Sequence, residues 1–222
     1  MKNKKQLGST IAEPDLNNNL ESLRQLVLGD DSDFESFKIE QVDLSFAEAK
    51  SCRIENAIFE RVTLQSTDFR QCKLKDLRFA NCDFSNATWC DGKLSKVQFF
   101  TSKLTAFRFI DGEMTNVVFR DCIGKRSQFC GSQYKRVSFE DCDLTNADFS
   151  DCMFTECTFK NCDLQDAVFY NAKMKDVDLR GSQLLGIKLN APDLRGATID
   201  RTQLTELAPQ FATLLGLRLE PE

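Results

Sequence analysis

The chain has 222 residues, of which 41% are hydrophobic and 28% are charged, with a formal net charge of −5. This balance is typical of a soluble globular protein of one or two domains and excludes a long disordered tail. No apolar run approaches the roughly 20 residues of a membrane span. Residues 1–10 are rich in Lys and lack the apolar stretch of a signal peptide, so we expect a cytoplasmic protein with no membrane contact.

The composition argues against catalysis and against a cofactor. The sequence has no histidine, which removes the commonest general base and the commonest metal ligand. It has 19 Phe but two Tyr and one Trp, an aromatic content suited to an apolar core. The ten Cys are expected to remain thiols in a reducing cytosol.

The first 33 residues are predicted to form an N-terminal segment with a capping helix. Leu16, Leu20, Leu23 and Val27 follow a helical spacing, and Gly29 would end the helix. A repetitive protein exposes its core at both ends unless the ends are capped. We therefore expect this helix to cover the first repeat.

Residues 34–204 follow a five-residue period without a slip. Every fifth residue from Phe34 to Leu204 is large and apolar, except Ala49 and Gly124. A period of five fits neither a helix nor a strand, so the chain must turn once in each repeat. Four such sides make a coil of 20 residues, and coils stacked about 4.8 Å apart make a parallel β-solenoid about 40 Å long.

A second column, two residues before each large residue, is compact. Eight cysteines occupy it, where a thiol serves as a small apolar group: Cys52, Cys72, Cys82, Cys122, Cys142, Cys152, Cys157 and Cys162. Their spacing lacks the close pairs of a zinc site, so we expect no metal. The other two, Cys90 and Cys130, should face outward, two coils apart and without a histidine to activate them.

The repeat resembles that of the pentapeptide-repeat proteins, as in Cys142-Asp143-Leu144-Thr145-Asn146 followed by Ala147-Asp148-Phe149-Ser150-Asp151. The resemblance covers about residues 32–206. It implies an all-β fold, a right-handed quadrilateral parallel β-helix, which agrees with the period.

Residues 205–222 are predicted to form a C-terminal helix and a short strand. The helix would present Leu204, Leu207, Phe211, Leu214 and Leu215, with Pro209 kinking or dividing it and Gly216 ending it. Residues 217–220 alternate like a strand. This ending is similar to the dimer module of the Qnr, MfpA and AlbG group of pentapeptide proteins, which protect DNA gyrase. That resemblance implies a tail-to-tail homodimer, with an interface formed by Leu207, Phe211, Leu214, Leu215, Leu217 and Leu219.

Charge is distributed unevenly along the chain. Residues 92–139 hold nine bases and three acids, whereas residues 140–179 hold ten acids and three bases. The acids of the second block occupy outward positions, and as a partner-binding face we predict Asp141, Asp143, Asp148, Asp151, Glu156, Asp163 and Asp166. Asp and Asn also suit turns for local reasons, which is the alternative explanation of this pattern.

Resemblance to the gyrase-protecting group, together with a rod of surface carboxylates, implies a DNA mimic. Such a protein would bind DNA gyrase or topoisomerase IV in place of DNA and would protect it from a quinolone or from a natural toxin such as albicidin. It would bind neither nucleic acid nor a small-molecule substrate. The alternative is an interaction scaffold with a different protein partner, since a fold does not fix a function. An enzyme would need a reactive site that the sequence does not offer.

Overall fold

The computed structural model describes residues 10–17 and 19–217. It is mostly β, a parallel solenoid of about nine coils followed by one helix. Its strands are β1 Glu21–Leu23, β2 Asp33–Glu40, β3 Glu48–Lys50, β4 Arg53–Glu60, β5 Asp68–Arg70, β6 Lys73–Ala80, β7 Thr88–Cys90, β8 Lys93–Phe100, β9 Arg108–Ile110, β10 Glu113–Arg120, β11 Gln133–Glu140, β12 Met153–Thr155, β13 Thr158–Lys160, β14 Lys173–Lys175, β15 Val177–Asp178 and β16 Ala197–Thr198. A 3-10 turn spans Ala191–Leu194, and helix α1 spans Arg201–Leu214.

All paired strands are parallel, and from β2 onward partners in the ladder lie 20 residues apart. Phe59 in β4 lies opposite Phe79 in β6, which lies opposite Phe99 in β8. We call the four sides A, B, C and D, in chain order, after the large residues Phe59, Leu64, Phe69 and Leu74 at their centres. The eight-residue strands cover sides D and A, the strands of the β3-β5-β7-β9 sheet cover side C, and single bridges such as Asp143 to Asp163 join side B. The predicted coil is confirmed.

The four edges between sides are made by one backbone conformation. Every non-glycine residue at each fifth position from Asp31 to Asp176 has a φ between 48° and 63°. This left-handed region is costly for most L-residues and is tolerated best by Gly, Asn and Asp. The turn therefore accounts for the Asn and Asp that recur at the end of each pentad, such as Asn81 and Asn86.

The core consists of side chains stacked by coil. Ring centroids of Phe99, Phe119 and Phe139 follow one another at 4.6 and 4.7 Å, with planes within 7° of parallel. The eight cysteines of the compact column are buried and free. Stacks of like shapes fill the interior without voids, because each coil repeats the outline of the one before.

Gly124 lies one coil after Phe107, a large residue in the compact column. Phe107 occupies a position of the compact column, yet its ring is fully buried, with its centroid 5.3 Å from Trp89 and 6.1 Å from Phe129. A Cβ at Gly124 would lie 3.0 Å from a methyl group of Leu144. The space at Gly124 is therefore already occupied by Leu144 of the next coil.

The predicted N-terminal helix is wrong. Within the described part of residues 10–33 the chain is extended, and it forms β1, whose Leu23 lies opposite Ile39 of β2. Leu26 and Leu28 are buried while Val27 is 80% exposed, an alternation of period two. A strand prevails here because the free edge of β2 offers backbone hydrogen bonds that a helix could not supply.

At the C-terminus, α1 begins at Arg201, four residues before the predicted boundary. Asp200 and Gln203 form a reciprocal capping box at its start. Pro209 lies inside one continuous helix. Gly216, at φ 70°, ends it in a Schellman motif, in which the Leu217 N–H donates to the Ala212 carbonyl. The strand predicted at 217–220 lies almost wholly outside the described residues.

Candidate protein-binding surface

Four of the seven predicted acids lie together on side B and its two flanking edges: Asp141, Asp143, Asp163 and Asp166. Asp143 lies opposite Asp163 on the next coil, and Asp163 lies opposite Gln183. The stacked segments 141–146, 161–166 and 181–186 contain these four acids and no Lys or Arg. We call this surface the acidic face.

The carboxylates of the acidic face are held by short-range contacts. The Asp141 carboxylate accepts a hydrogen bond from the Asn161 amide at 3.1 Å. Asp143 accepts from the Thr145 hydroxyl at 2.6 Å, and its other oxygen lies 3.0 Å from the Lys125 ammonium. Partial burial raises the pKa of Asp143, but the bonds from Thr145 and Lys125 lower it by more, so the pKa lies below its ordinary value. This carboxyl is therefore charged at neutral pH.

The other three predicted acids lie elsewhere. Asp148 is on side C and Asp151 is on the CD edge, where it accepts a hydrogen bond from Asn171 at 3.1 Å. Glu156 is on the DA edge, 3.9 Å from Arg136. The structure thus divides the predicted set among three parts of the surface.

Three acids that the sequence analysis missed form a second row with the predicted Asp151. Asp31, Asp91, Asp111 and Asp151 occupy the CD edge at separations of 20 or multiples of 20, and all four are exposed. We call this row the CD row. Counting charges in consecutive blocks concealed it, although sorting edge residues by coil would have found it.

Most of the basic middle is paired with acids on adjacent coils. Lys93 lies 2.7 Å from Glu113, Arg120 lies 2.8 Å from Glu140, and Lys96 lies 3.7 Å from Asp76. Such exposed pairs contribute little stability, but they offset the positive charge along the rod. The net charge of a sequence block therefore overstates the field at the surface.

The predicted dimer residues have two different environments. Leu207 is 2% exposed and Phe211 is packed against the core, so both cover the last coil. Leu214, Leu215 and Leu217 are exposed, as are Leu204 earlier in α1 and Leu185 on the last coils. Leu219 lies outside the described residues. The end of the rod therefore presents a group of leucines to solvent.

The two outward thiols are poor nucleophiles. Burial raises the pKa of Cys130 to about 11 and also raises that of Cys90, so both are protonated at neutral pH. Among residues 10–17 and 19–217, no cluster of three or more Cys, Asp or Glu is placed to hold a metal ion. In the same described ranges, no helix has the length and hydropathy to span a membrane.

Similar folds occur among solved structures. A trypsin-treated form of QnrB1, a plasmid-mediated fluoroquinolone resistance protein, is 17% identical with a TM-score of 0.34, over 86% of this chain and 100% of that one. HetL, a pentapeptide-repeat protein involved in heterocyst differentiation regulation in the cyanobacterium Nostoc, is 12% identical with a TM-score of 0.28, over 76% and 87%. The search of curated proteins finds no match.

The family is shown by the sequence itself. A family model described as a pentapeptide repeat region matches residues 32–109 and 132–208, which is more than half of the chain. The coil register, the left-handed edges and the stacked core are the structural form of that repeat. The chain belongs to the pentapeptide-repeat family.

Proposed function

We propose that the chain is a non-enzymatic DNA mimic that binds DNA gyrase or topoisomerase IV and protects it from a topoisomerase poison, a quinolone or a natural toxin such as albicidin. The observation that carries this proposal is the acidic face, four aspartates on two adjacent coils with no base in the segments that hold them. A saddle that binds DNA does so largely through phosphate charge, and a row of carboxylates can occupy the same saddle.

The rigidity of the acidic face supports this interpretation. Asp143 and Asp163 lie opposite each other on adjacent coils, about 4.8 Å apart, and Asp141 and Asp166 are fixed on left-handed edges. Little conformational entropy is lost when such a preorganised surface binds. The face would therefore present its charge as a fixed array.

The exposed leucines support a homodimer as part of the same proposal. Leu214, Leu215 and Leu217 surround the end of α1, which packs on the coil beyond Asp163 and Asp166. A second copy docked here would cover the leucines and place two acidic faces near one junction. We expect Leu215→Asp combined with Leu217→Asp to be monomeric by light scattering at concentrations where the unaltered chain is dimeric. A chain that is monomeric without these changes would contradict the dimer.

DNA supercoiling by purified gyrase tests the proposal, with a quinolone in one series and albicidin in another. We expect the chain to restore supercoiling and to reduce drug-trapped cleaved DNA. The test variant changes Asp141, Asp143, Asp163 and Asp166 to Asn, which tolerates left-handed φ and keeps one acceptor oxygen for the local hydrogen bonds, while the ion pair of Asp143 with Lys125 is lost. It should need at least about tenfold more protein for the same rescue, because charge complementarity is lost.

The CD row supplies the matched control. Changing Asp31, Asp91, Asp111 and Asp151 to Asn removes the same number of charges, all from left-handed edge positions, and rescue should be unaffected. An equal loss of rescue in both variants would mean that protection depends on the net charge of the chain and not on the acidic face. If the unaltered chain gives no rescue with either drug, gyrase is excluded as the partner, and a scaffold with a different protein partner is favoured.

A further inference from the structure

The DA edge differs from the AB and CD edges because another part of the chain covers it. Every edge residue on the AB and CD edges is exposed, whereas on the DA edge Asn56 and Asp76 are only 5% and 4% exposed. The covering segment is residues 10–17, which we call the strap. Residues farther along the same edge, such as Asp176, are exposed.

The strap crosses the coils along the rod. The N–H groups of Ala12, Asp15 and Asn17 donate to side-chain oxygens of Asn116, Asp76 and Asn56, at 3.5, 2.9 and 2.9 Å. From Ala12 to Asn17 an extended chain reaches about 16 Å, and three coils rise about 14 Å. Because these two lengths match, N–H groups along an extended peptide can reach acceptors on the coils that it crosses.

The acceptors are presented by the solenoid rather than by the strap. All three belong to the column of left-handed edge residues, with φ between 52° and 55°. Each contact joins a backbone N–H of the strap to a side chain of the DA edge. Any extended peptide has such N–H groups, so the hydrogen bonding does not depend on the identity of the strap.

The charges at the DA edge favour an acidic segment. The Lys75 and Lys96 ammonium groups lie 3.5 and 3.7 Å from Asp76, and Arg136 donates to Asn116 at 2.8 Å. The strap itself contains Glu13 and Asp15 and no base. An acidic segment therefore lies along a part of the edge that carries three cations and one carboxylate, that of Asp76.

We infer that the DA edge is a binding groove for an extended acidic peptide and that the strap is its built-in, displaceable occupant. This site is independent of the proposed function, because the acidic face lies on side B and its two edges, away from the DA edge. A partner with an acidic extended segment would bind by replacing the strap. The bonds exchanged are of the same kind, so the exchange leaves the solenoid unchanged.

The test uses the full chain and a fluorescent peptide with the sequence of residues 10–19. Asp15→Pro with Asn17→Pro removes two donating N–H groups from the strap and leaves the groove intact. By fluorescence polarisation, this variant should bind the peptide at least about tenfold more tightly than the unaltered chain. In the unaltered chain the tethered strap competes at an effective concentration on the order of mM.

Two further variants locate the binding. Adding Asn56→Gly and Asp76→Gly keeps the left-handed edge but removes two acceptors, and it should abolish binding. Asp176→Gly, on the same edge beyond the described contacts of the strap, should not change it. A peptide with Gln and Asn in place of Glu13 and Asp15 should bind more weakly.

The inference is overturned if the strap variant is folded by circular dichroism and does not bind the peptide. Equal binding after Asn56→Gly and Asp76→Gly would overturn it too, because the peptide would then be held elsewhere. In the unaltered chain, excess peptide should speed hydrogen exchange at the Asp15 and Asn17 amides. Unchanged exchange at a saturating peptide concentration would show that the strap is not displaced.

Discussion

The two ends of the solenoid are closed by different means. At the C-terminal end, Gln203 of α1 donates to the carbonyl oxygens of Leu179 and Ser182 at 2.6 and 2.7 Å, and Gln210 donates to that of Ile187 at 2.7 Å. These side chains satisfy carbonyl groups that a further coil would have satisfied. At the N-terminal end a strand, β1, continues the ladder, and the strap, which precedes β1 in the chain, lies along the DA edge.

The difference shows that the type of cap depends on which backbone groups remain unpaired at each end of the solenoid. A terminal strand extends the ladder and leaves its own outer edge open, whereas a helix ends the ladder if it brings polar side chains to the last carbonyls. Buried leucines then supply the apolar contact. We therefore expect the helical end to be the more sensitive to single substitutions.

The largest expected effect is at Leu207, a residue of α1 whose side chain is only 2% exposed. Leu207→Ala should lower the free energy of unfolding by about 2–5 kcal/mol, because it leaves a cavity against the last coil. Denaturant unfolding followed by circular dichroism measures it. Leu204→Ala, in the same helix but 52% exposed, is the control and should change stability by less than about 0.5 kcal/mol. Equal effects would mean that α1 does not pack as described.

A smaller effect is expected at Gln203. Gln203→Ala removes the side-chain donor to the Ser182 carbonyl, leaves the Leu179 carbonyl with the Ser182 N–H as its donor, and removes half of the capping box, which should cost about 1–3 kcal/mol. Gln210→Ala, which removes one bond, should cost less in the same unfolding experiment. If the order is reversed, carbonyl satisfaction is not what closes this end.

At the other end, loss of a strap contact should act locally. Asn56→Gly removes the acceptor for the Asn17 N–H and keeps the edge conformation, so global stability should fall by about 1 kcal/mol or less. Hydrogen exchange at the Asn17 amide should become faster, because the strap opens without unfolding the coils. A global loss as large as that of Leu207→Ala would show that the strap is a structural clamp.

Much of the fold could be predicted from the sequence because each pentad meets the same packing rule. The period fixed which residues face inward, and the stacked phenylalanines of side A confirm it. The N-terminal segment was mispredicted because Leu16, Leu20 and Leu23 satisfy a helical spacing. The segment forms a strand because the edge of β2 is open to pairing. This is a tertiary feature that local spacing does not encode.

The candidate site was predictable only in part. Outward positions were identified correctly, yet neighbours in sequence such as Asp151 and Glu156 lie on different edges, and neighbours in space lie 20 residues apart. Ion pairs such as Lys125 with Asp143 depend on side-chain conformations that no pattern specifies. The sequence offers no explanation for Gly124, whereas the structure places a methyl group of Leu144 only 3.0 Å from where its Cβ would lie.

The smallest expected effect concerns pH and again concerns only the helical end. The Asp200 carboxylate accepts from the N–H groups of Gln203 and Gly181 at 3.0 and 3.2 Å, and these bonds hold its pKa below the ordinary value of 3.8. A depressed pKa stabilises the folded state above the unfolded pKa, and the contribution is lost as pH falls through the folded pKa. The melting temperature of the unaltered chain should exceed that of Asp200→Ala at pH 7, and the difference should shrink below about pH 4. A difference that does not change with pH would mean that the carboxylate charge contributes nothing to this cap, and that the helical end is held by Leu207 and Gln203 alone.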